Sequence, residues 1–158
     1  MPEIRDAEAR DLDRIVELWT QLARMHEELS DRFKLVPNAV DVAKTNFAKA
    51  IHAPDRKIMV AIRDGAIVGF VNGSIGSRPA IFADRRHGNI DDLFVEEAQR
   101  RRGIGAQLVS CLMDWLRAQG ITSVQTQFYI GNRSAKAFWG KLGFKTSMSK
   151  VEREISPA

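Results

Sequence analysis

A glycine-bearing turn rich in arginine, QRRRGIGAQLV at residues 99–109, is the part of the sequence best suited to bind a ligand. Glycine has no Cβ, so other groups can approach its backbone closely. The first amides of a helix have no partner inside the helix, and they carry the positive end of its dipole. Because a helical pattern begins directly after the glycines, we expect the amides from Arg101 to Ala106 to bind an anion, assisted by the arginines.

Two familiar phosphate-binding motifs do not match this turn. A P-loop ends in Gly-Lys-Ser or Gly-Lys-Thr, and neither triplet occurs in the chain. A dinucleotide-binding fingerprint requires a third glycine where this chain has Leu108, which disfavours a nicotinamide or flavin dinucleotide. Taken alone, the two glycines are also compatible with an ordinary turn, and the arginines with a solvated edge.

Two adjacent carboxylates, Asp91 and Asp92, lie in the segment NIDDLFV at residues 89–95, which leads into the turn. This segment is predicted to be a strand because it is short and mainly apolar. Successive residues of a strand point to opposite faces of the sheet, so only one of the two carboxylates can face a given cleft. A carboxylate in that position is a candidate for moving a proton.

The elements that must position these residues follow from periodicity and turn signals. Apolar residues at helical spacing predict a first long helix, and Asp64-Gly65 between apolar runs predicts a β-hairpin. In order we expect a strand at 3–5, helices at 11–29 and 41–53 separated by a loop at 30–40, the hairpin at 57–76, a loop at 77–88, a strand at 89–95, a helix ending at Gly120, a strand at 123–130, a helix from Asn132 to Gly143 and a last strand within 145–155. The strand–helix–strand unit implies parallel pairing and an α/β class.

The composition describes an ordinary globular chain, and we expect residues 1–158 to form a single domain. Hydrophobic residues make up 44% and charged residues 28% of the 158 positions, and the net charge of +4 favours an anionic ligand without identifying it. Cys111 is the only cysteine, so no intrachain disulfide can form. This cysteine usage and an acidic start without a signal peptide predict a cytoplasmic location, and no apolar run is long enough to cross a bilayer.

The pattern Arg100-x-x-Gly103-x-Gly105 after the strand, with NRSAKAFWGKLGF at 132–144 one strand later, resembles the GNAT superfamily of acetyl-CoA-dependent N-acetyltransferases. The resemblance covers almost the whole chain. It implies a central mixed, partly splayed sheet flanked by helices. It also implies transfer of an acetyl group from acetyl-CoA, without a metal, to a primary amine of a small molecule or a protein in a ternary complex.

The resemblance also assigns the residues that bind coenzyme A. The arginine–glycine turn would hold the pyrophosphate, and the preceding strand would bulge and pair its backbone with the pantetheine arm. The backbone N–H of Phe94 or Val95 would polarise the thioester carbonyl, and Asn132 would contact the cofactor arm. The residues assigned to the cofactor are Leu93, Phe94, Val95, Arg100, Arg101, Arg102, Gly103, Ile104, Gly105, Ala106, Asn132 and Phe138.

The same resemblance yields expectations for catalysis. Asp91 matches a glutamate that relays the amine proton in some GNAT enzymes, so we expect it to be the base and Asp92 to be structural. Asp91 could instead bind a cationic acceptor or pair with an arginine. Many GNAT enzymes have a tyrosine where this chain has Trp139, whose indole cannot give up a proton; Trp139 would then steady the sulfur or line the pocket. Tyr129 is the only tyrosine and could replace the missing acid, or no acid is used.

The acceptor itself cannot be identified from the sequence. By resemblance the loop after the first helix helps to form the acceptor pocket, which gives His26, Asp31, Arg32 and Phe33 as expected contacts. Acidic cleft residues would suit a polyamine-like or aminoglycoside-like amine, while a peptide N-terminus or a lysine also fits. The three histidines show no metal-ligand spacing, so no metal site is expected.

Two other classes of function are compatible with parts of this sequence. A non-catalytic module that senses acyl-CoA would be consistent with the missing tyrosine. Nucleic acid is not an expected partner, because the arginines cluster at one turn with Glu96 and Glu97 just before it. No membrane partner is expected, and a homodimer is plausible by resemblance to the family alone.

Overall fold

The computed structural model describes residues 1–158 and separates into two units, Met1–Gln127 and Phe128–Ala158. The first unit contains the strands β1 (Glu3–Asp6), β2 (Arg56–Arg63), β3 (Ala66–Ser77), β4 (Arg86–Val95) and β5 (Val124–Thr126), and the helices α1 (Leu12–Leu29), α2 (Ala39–His52) and α3 (Ile104–Ala118). The second unit contains α4 (Arg133–Lys141). A mixed sheet with helices matches the expected class.

The five strands form one sheet in the order β1-β2-β3-β4-β5. All neighbouring pairs are antiparallel except β4 and β5, which run parallel as the strand–helix–strand unit predicted. The hairpin between β2 and β3 turns at Asp64 and Gly65, whose φ angles of 51° and 76° are both positive. Positive φ at both central residues matches the right-handed twist of the strands, which is why Asp-Gly marked this turn in the sequence.

The two faces of the sheet are covered by different helices. On one face, α1 and α2 pack their apolar residues against alternate residues of β2, β3 and β4, forming a core that includes Ile15, Leu18, Phe47, Val60, Phe70 and Phe94. On the other face, α3 lies so close that a Cβ at Gly73 would stand 2.6 Å from Leu112, and one at Gly88 2.5 Å from Leu116. Both faces of the sheet are therefore packed against helices, which fixes the strands that carry the site.

A buried carboxylate joins the first strand to the first helix. Asp11 is only 5% exposed, and it accepts hydrogen bonds from Arg5 Nη1 at 2.7 Å and Nη2 at 3.0 Å. It also accepts one from the backbone N–H of Glu8 at 2.8 Å, which completes a capping box. The hydrogen bond from Arg5 lowers the pKa of Asp11 below its ordinary value, against the opposing effect of burial.

Three of the strands predicted from the sequence differ from those in the structure. The strand β4 begins at Arg86, inside the predicted loop at 77–88, because residues 86–90 pair with the long strand β3. The predicted strand at 123–130 is reduced to β5, which finds partners only at Gly88–Ile90. Residues 145–155 form no strand. Their apolar residues Met148, Val151 and Ile155 are three and four positions apart, which does not give a strand an apolar face.

The second unit is organised around α4. Asn132 caps this helix by accepting a hydrogen bond from the backbone N–H of Ala135 at 3.0 Å, as the sequence predicted. Trp139 is 7% exposed, and its ring packs edge-on against Phe138 and Phe144 at centroid distances of 4.9 and 5.0 Å. The aromatic residues of this segment therefore form a small apolar cluster of their own.

Candidate functional site

The strand β4 contains a bulge at Asp91. Asp92 pairs with Asn72 of β3, whereas the next β3 residue, Gly73, pairs with Ile90, so Asp91 is left without a partner. An extra residue of this kind bends the strand and changes which way the following residues point. The bulge that the family resemblance implied is therefore present, and it falls on the acidic pair.

The extra residue also changes which residues of β4 face each of its two edges. Before the bulge, Gly88 donates its N–H to Ser123 next to β5, and Ile90 accepts a hydrogen bond from the Thr126 hydroxyl at 3.0 Å. After the bulge, Glu96 donates its N–H to Val68 of β3 at 2.9 Å. The backbone N–H and C=O groups of the even-numbered residues of β4 therefore point toward β5 before the bulge and toward β3 after it. The backbone groups of Leu93 and Val95 consequently face the edge that β5 no longer pairs, because β5 pairs only as far as Ile90.

The free edge leads into the arginine–glycine turn. Arg101 adopts a left-handed backbone with φ of 61°, and Gly103 does so with φ of 77° immediately before α3 begins. The first backbone bond of the helix runs from the N–H of Gln107 to the carbonyl of Gly103, at 3.0 Å. The amides of Ile104, Gly105 and Ala106 therefore precede the hydrogen-bonded part of the helix and remain available, as an anion site requires.

The turn is fastened to β4 by Arg100. Its Nε donates to the carbonyl of Val95 at 2.9 Å, and its guanidinium lies over the ring of Phe94 at 5.2 Å. Arg14 of α1 holds the start of the same turn through an ion pair with Glu96. Arg101 and Arg102 make no such contacts and are exposed, which leaves both guanidinium groups free to meet an anion.

A cavity of about 410 Å³ opens on the face of the sheet that α1 and α2 cover. Its polar lining comes from Asn46, Lys49, Arg56, Asn72 and Asp92, and its apolar lining includes Trp19, Ala43, Phe47, Ala50 and Ala53. A volume of this size lies within the range of small-molecule sites, about 300–1,000 Å³.

Asp92 supplies the only carboxylate in the lining of this cavity. It is partly buried and accepts a hydrogen bond from Asn72 Nδ2 at 2.8 Å. Burial raises the pKa of the Asp92 carboxyl above its ordinary value, and the nearby Asp91 adds to the rise. The hydrogen bond from Asn72 and the charges of Arg56 and His26 oppose it. A carboxylate whose pKa is raised toward neutral pH is better suited to accept a proton.

Asp91 is exposed on the bulge and does not line the cavity. Its expected role as a base stays a prediction, whereas the bulge directs the neighbouring carboxylate, Asp92, into the cavity. The remaining residues expected to take part in catalysis, Tyr129 and Trp139, lie in the second unit, Tyr129 in a loop before α4 and Trp139 within α4. Asn132 and Phe138 lie in that unit as well, at and within the helix.

The expected acceptor contacts surround the end of α1. Asp31, Arg32 and Phe33 form a short 3₁₀ turn directly after it, and the ring of Phe33 lies 5.5 Å from that of His26. None of the four lines the cavity. His26 is nevertheless close enough to Asp92 for the two to interact: burial lowers the pKa of His26, and Asp92 opposes this effect.

Sequence reasoning missed Lys49, Arg56 and Asn72. A signal for Asn72 was present, because Val68, Phe70 and Asn72 occupy alternate positions of one strand, and the third should be apolar if that face is only a core. Asn72 is 3% exposed and is held by Asp92 and by Arg56. No local sequence pattern indicated Lys49 or Arg56, because these residues come together at the cavity only when α2 packs on the sheet.

The comparison with protein families gives a match to the acetyltransferase (GNAT) family over residues 6–144. The chain belongs to this family. The match includes the bulged strand, the arginine–glycine turn and α4, and so confirms the family that these motifs indicated. A comparison with curated proteins finds no match.

Solved structures of GNAT-like fold resemble this chain over nearly its whole length. A tetramutant of the BH1408 protein from Bacillus halodurans has a TM-score of 0.85 and 22% identity, covering 97% of this chain and 99% of that one. The aminoglycoside N-acetyltransferase AAC(6')-Iy, in complex with CoA, has a TM-score of 0.81 and 18% identity, covering 98% of this chain and 95% of that one. A transcriptional regulator from Bacillus halodurans has a TM-score of 0.78 and 21% identity, covering 98% of this chain and 100% of that one. At these identities the likeness shows the fold.

Two further findings concern membranes and metals. None of the helices is both long and apolar enough to span a bilayer. No group of three or more His, Cys, Asp or Glu side chains is arranged to hold a metal ion.

Proposed function

We propose that this GNAT protein transfers the acetyl group of acetyl-CoA to an amine bound in the cavity, with Asp92 as the general base. The observation that carries the proposal is the bulge at Asp91. This feature turns Asp92 into the cavity and places the backbone groups of Leu93 and Val95 on the β4 edge that β5 leaves unpaired.

The cofactor side of the site follows from the backbone. The amides of Ile104, Gly105 and Ala106 and the side chains of Arg101 and Arg102 would bind the pyrophosphate, since unpaired amides at a helix start attract anions. The N–H and C=O groups of Leu93 and the N–H of Val95 would bind the pantetheine arm as a neighbouring strand would, while the Val95 carbonyl already accepts from Arg100. Because Glu96 faces β3, the N–H that polarises the thioester carbonyl would be that of Leu93 or Val95 rather than that of Phe94.

The acceptor side supplies a proton acceptor. Asp92 would take a proton from the ammonium form of the acceptor, directly or through water, and leave the neutral amine that can attack a carbonyl. The new C–N bond forms as the C–S bond breaks, the electron pair leaves with the CoA thiolate, and the thiolate takes the second proton that the acylated nitrogen gives up, directly or through water. Asp92 then returns its proton to solvent, so the reaction needs no side-chain acid.

This scheme gives Trp139 a structural role. Its ring is surrounded edge-on by Phe138 and Phe144, and an indole N–H is not a proton donor at accessible pH. A tryptophan at this position is compatible with transfer because a thiolate is a tolerable leaving group. Tyr129 remains a proposed alternative donor, which a Tyr129→Phe variant tests by the rate it retains.

The proposal is tested by release of free CoA thiol from acetyl-CoA against a broad panel of amines. We expect turnover with at least one class of amine, and Arg101→Gln should raise the KM for acetyl-CoA about tenfold, as loss of one charge-assisted contact predicts. Arg117→Gln is the matched control, because Arg117 is exposed at the opposite end of α3 and pairs only with Asp114.

Binding and turnover measurements together distinguish the alternative, a non-catalytic module that senses acyl-CoA. Binding of acetyl-CoA by calorimetry, weakened by Arg101→Gln, without thiol release on any amine would reject the enzyme in favour of an acyl-CoA-binding module. Absence of both binding and turnover would reject the assignment of the turn itself.

A further inference from the structure

Two cationic side chains line the cavity without forming an ion pair. Lys49 comes from α2 and Arg56 from the start of β2. The ion pairs of the chain engage other lysines and arginines. Asp92 is the only carboxylate in the lining. The cavity therefore carries more positive than negative charge, which is unfavourable for a polycationic acceptor.

The guanidinium of Arg56 has donors that the protein does not use. One terminal nitrogen, Nη2, donates to Asn72 Oδ1 at the long distance of 3.3 Å. The Nε atom is buried and has no hydrogen-bond partner. A guanidinium offers five N–H donors in a fork that matches a carboxylate, and the Nη1 group of Arg56 makes no hydrogen bond within the protein.

A single side chain connects this unused cation to the general base. Asn72 accepts from Arg56 through Oδ1 and donates to Asp92 through Nδ2 at 2.8 Å. A ligand that reaches both Arg56 and Asp92 therefore needs an anionic group and an amine only a few bonds apart. The cavity of about 410 Å³ has room for such a compact molecule.

We propose that the acceptor is a small amino acid, whose carboxylate is bound by Arg56 and Lys49 while its amine faces Asp92. The inference rests on the proposed function, because it names the substrate class of the same site. It separates this chain from its aminoglycoside-acetylating structural neighbours, since an acceptor with several positive charges and no anion would meet Lys49 and Arg56 unfavourably.

The experiment compares each amino acid with its own carboxamide, which keeps the amine and removes the negative charge. For the parent protein we expect kcat/KM to be at least about tenfold higher for the carboxylate, the loss expected when a charge-assisted pair is removed. Amino acids with progressively longer chains between amine and carboxylate should be poorer substrates, and so should dipeptides. Equal rates for acids and amides, or a preference for polyamines or aminoglycosides, would overturn the inference.

Variants locate the effect. Arg56→Gln should reduce the preference for carboxylate over carboxamide to near unity while leaving the KM for acetyl-CoA unchanged, and Lys49→Gln should reduce it in part. Matched controls are Arg63→Gln, at the other end of β2, and Lys44→Gln, on α2 but outside the cavity. A preference that survives both Arg56→Gln and Lys49→Gln would overturn the assignment. If Arg56→Gln does not fold, the preference of the parent protein for carboxylates and its partial loss in Lys49→Gln still test the inference.

A binding measurement separates this inference from the proposed function. Calorimetry with N-acetylated amino acids and their carboxamides, in the presence of CoA, requires no turnover. If no amine is acetylated, the proposed function fails. Tighter binding of the N-acetyl acids, lost in Arg56→Gln, would then still support the anion site, and equal binding of acids and amides would overturn it.

Discussion

Asp11 and Asp92 are two shielded carboxylates whose surroundings act in opposite directions. Asp11 accepts two hydrogen bonds from Arg5 and one from the backbone, and its pKa is lowered. Asp92 accepts one hydrogen bond from Asn72, which is neutral, and its pKa is raised. The first carboxylate is fully paired and serves the fold. The second is incompletely paired beside a cavity, which is the state in which a carboxylate can exchange a proton with a ligand.

The largest expected effect is on catalysis. Asp92→Asn should lower kcat about 100-fold or more, the range of a lost general base, with little change in the KM for acetyl-CoA. Asp91→Asn is the matched comparison because it removes a carboxylate one residue away on the exposed bulge. Steady-state thiol release measures both. A larger loss of kcat for Asp91→Asn than for Asp92→Asn would assign the base to Asp91, as the sequence first suggested.

The second effect is on stability. Asp11→Asn should lower the free energy of unfolding by about 2–3 kcal/mol at neutral pH, because it leaves the partly buried Arg5 without its anion. Asp13→Asn, which removes an 85% exposed partner of Lys44, should cost no more than about 0.5 kcal/mol. Urea denaturation followed by circular dichroism distinguishes the two, and equal losses would contradict the special status of Asp11.

The third effect is on the pH profile. Asn72 lowers the pKa of Asp92 through its hydrogen bond to the charged carboxylate. Asn72→Ala should therefore raise the pKa that governs the acid limb of kcat/KM, by about one pH unit if the hydrogen bond contributes about 1.4 kcal/mol. Rate measurements across pH check this, and an unmoved acid limb would mean that Asp92 is not the titrating group.

The smallest effect is the dependence of stability on pH. Asp11, with its lowered pKa, contributes stability that is present above its unfolded pKa and is lost as pH falls through the folded pKa. Asp92, with its raised pKa, contributes in the opposite sense: its contribution is complete below the unfolded pKa and is lost as pH rises through the folded one. Near neutral pH, Asp92→Asn should thus unfold no more easily than the parent, while losing activity. Marked destabilisation would instead make Asp92 a structural residue.

The sequence predicted the parts of this molecule that depend on local pattern. The hairpin at Asp64-Gly65, the cap at Asn132 and the helices follow from backbone preferences and periodicity, and the structure contains them. The arginine–glycine turn was also readable, because unpaired amides at a helix start are a local property. These features needed no knowledge of the packed chain.

The parts that depend on distant contacts were missed. The extra residue in β4 is defined only by its register with β3, so strict alternation could not decide between Asp91 and Asp92. Lys49 and Arg56 lie on different elements that meet only when α2 packs on the sheet. The predicted last strand had no partner to confirm it, since the formation of a strand depends on its neighbour.

Asp91 also has a structural consequence that does not depend on its carboxylate, because it is the extra residue that shifts the alternation of β4. If β4 kept the same sequence but had no bulge, Asp91 would lie opposite Asn72, and Leu93 and Val95 would exchange edges with Phe94 and Glu96. One extra peptide unit thus determines which backbone groups of β4 face the edge that β5 leaves open.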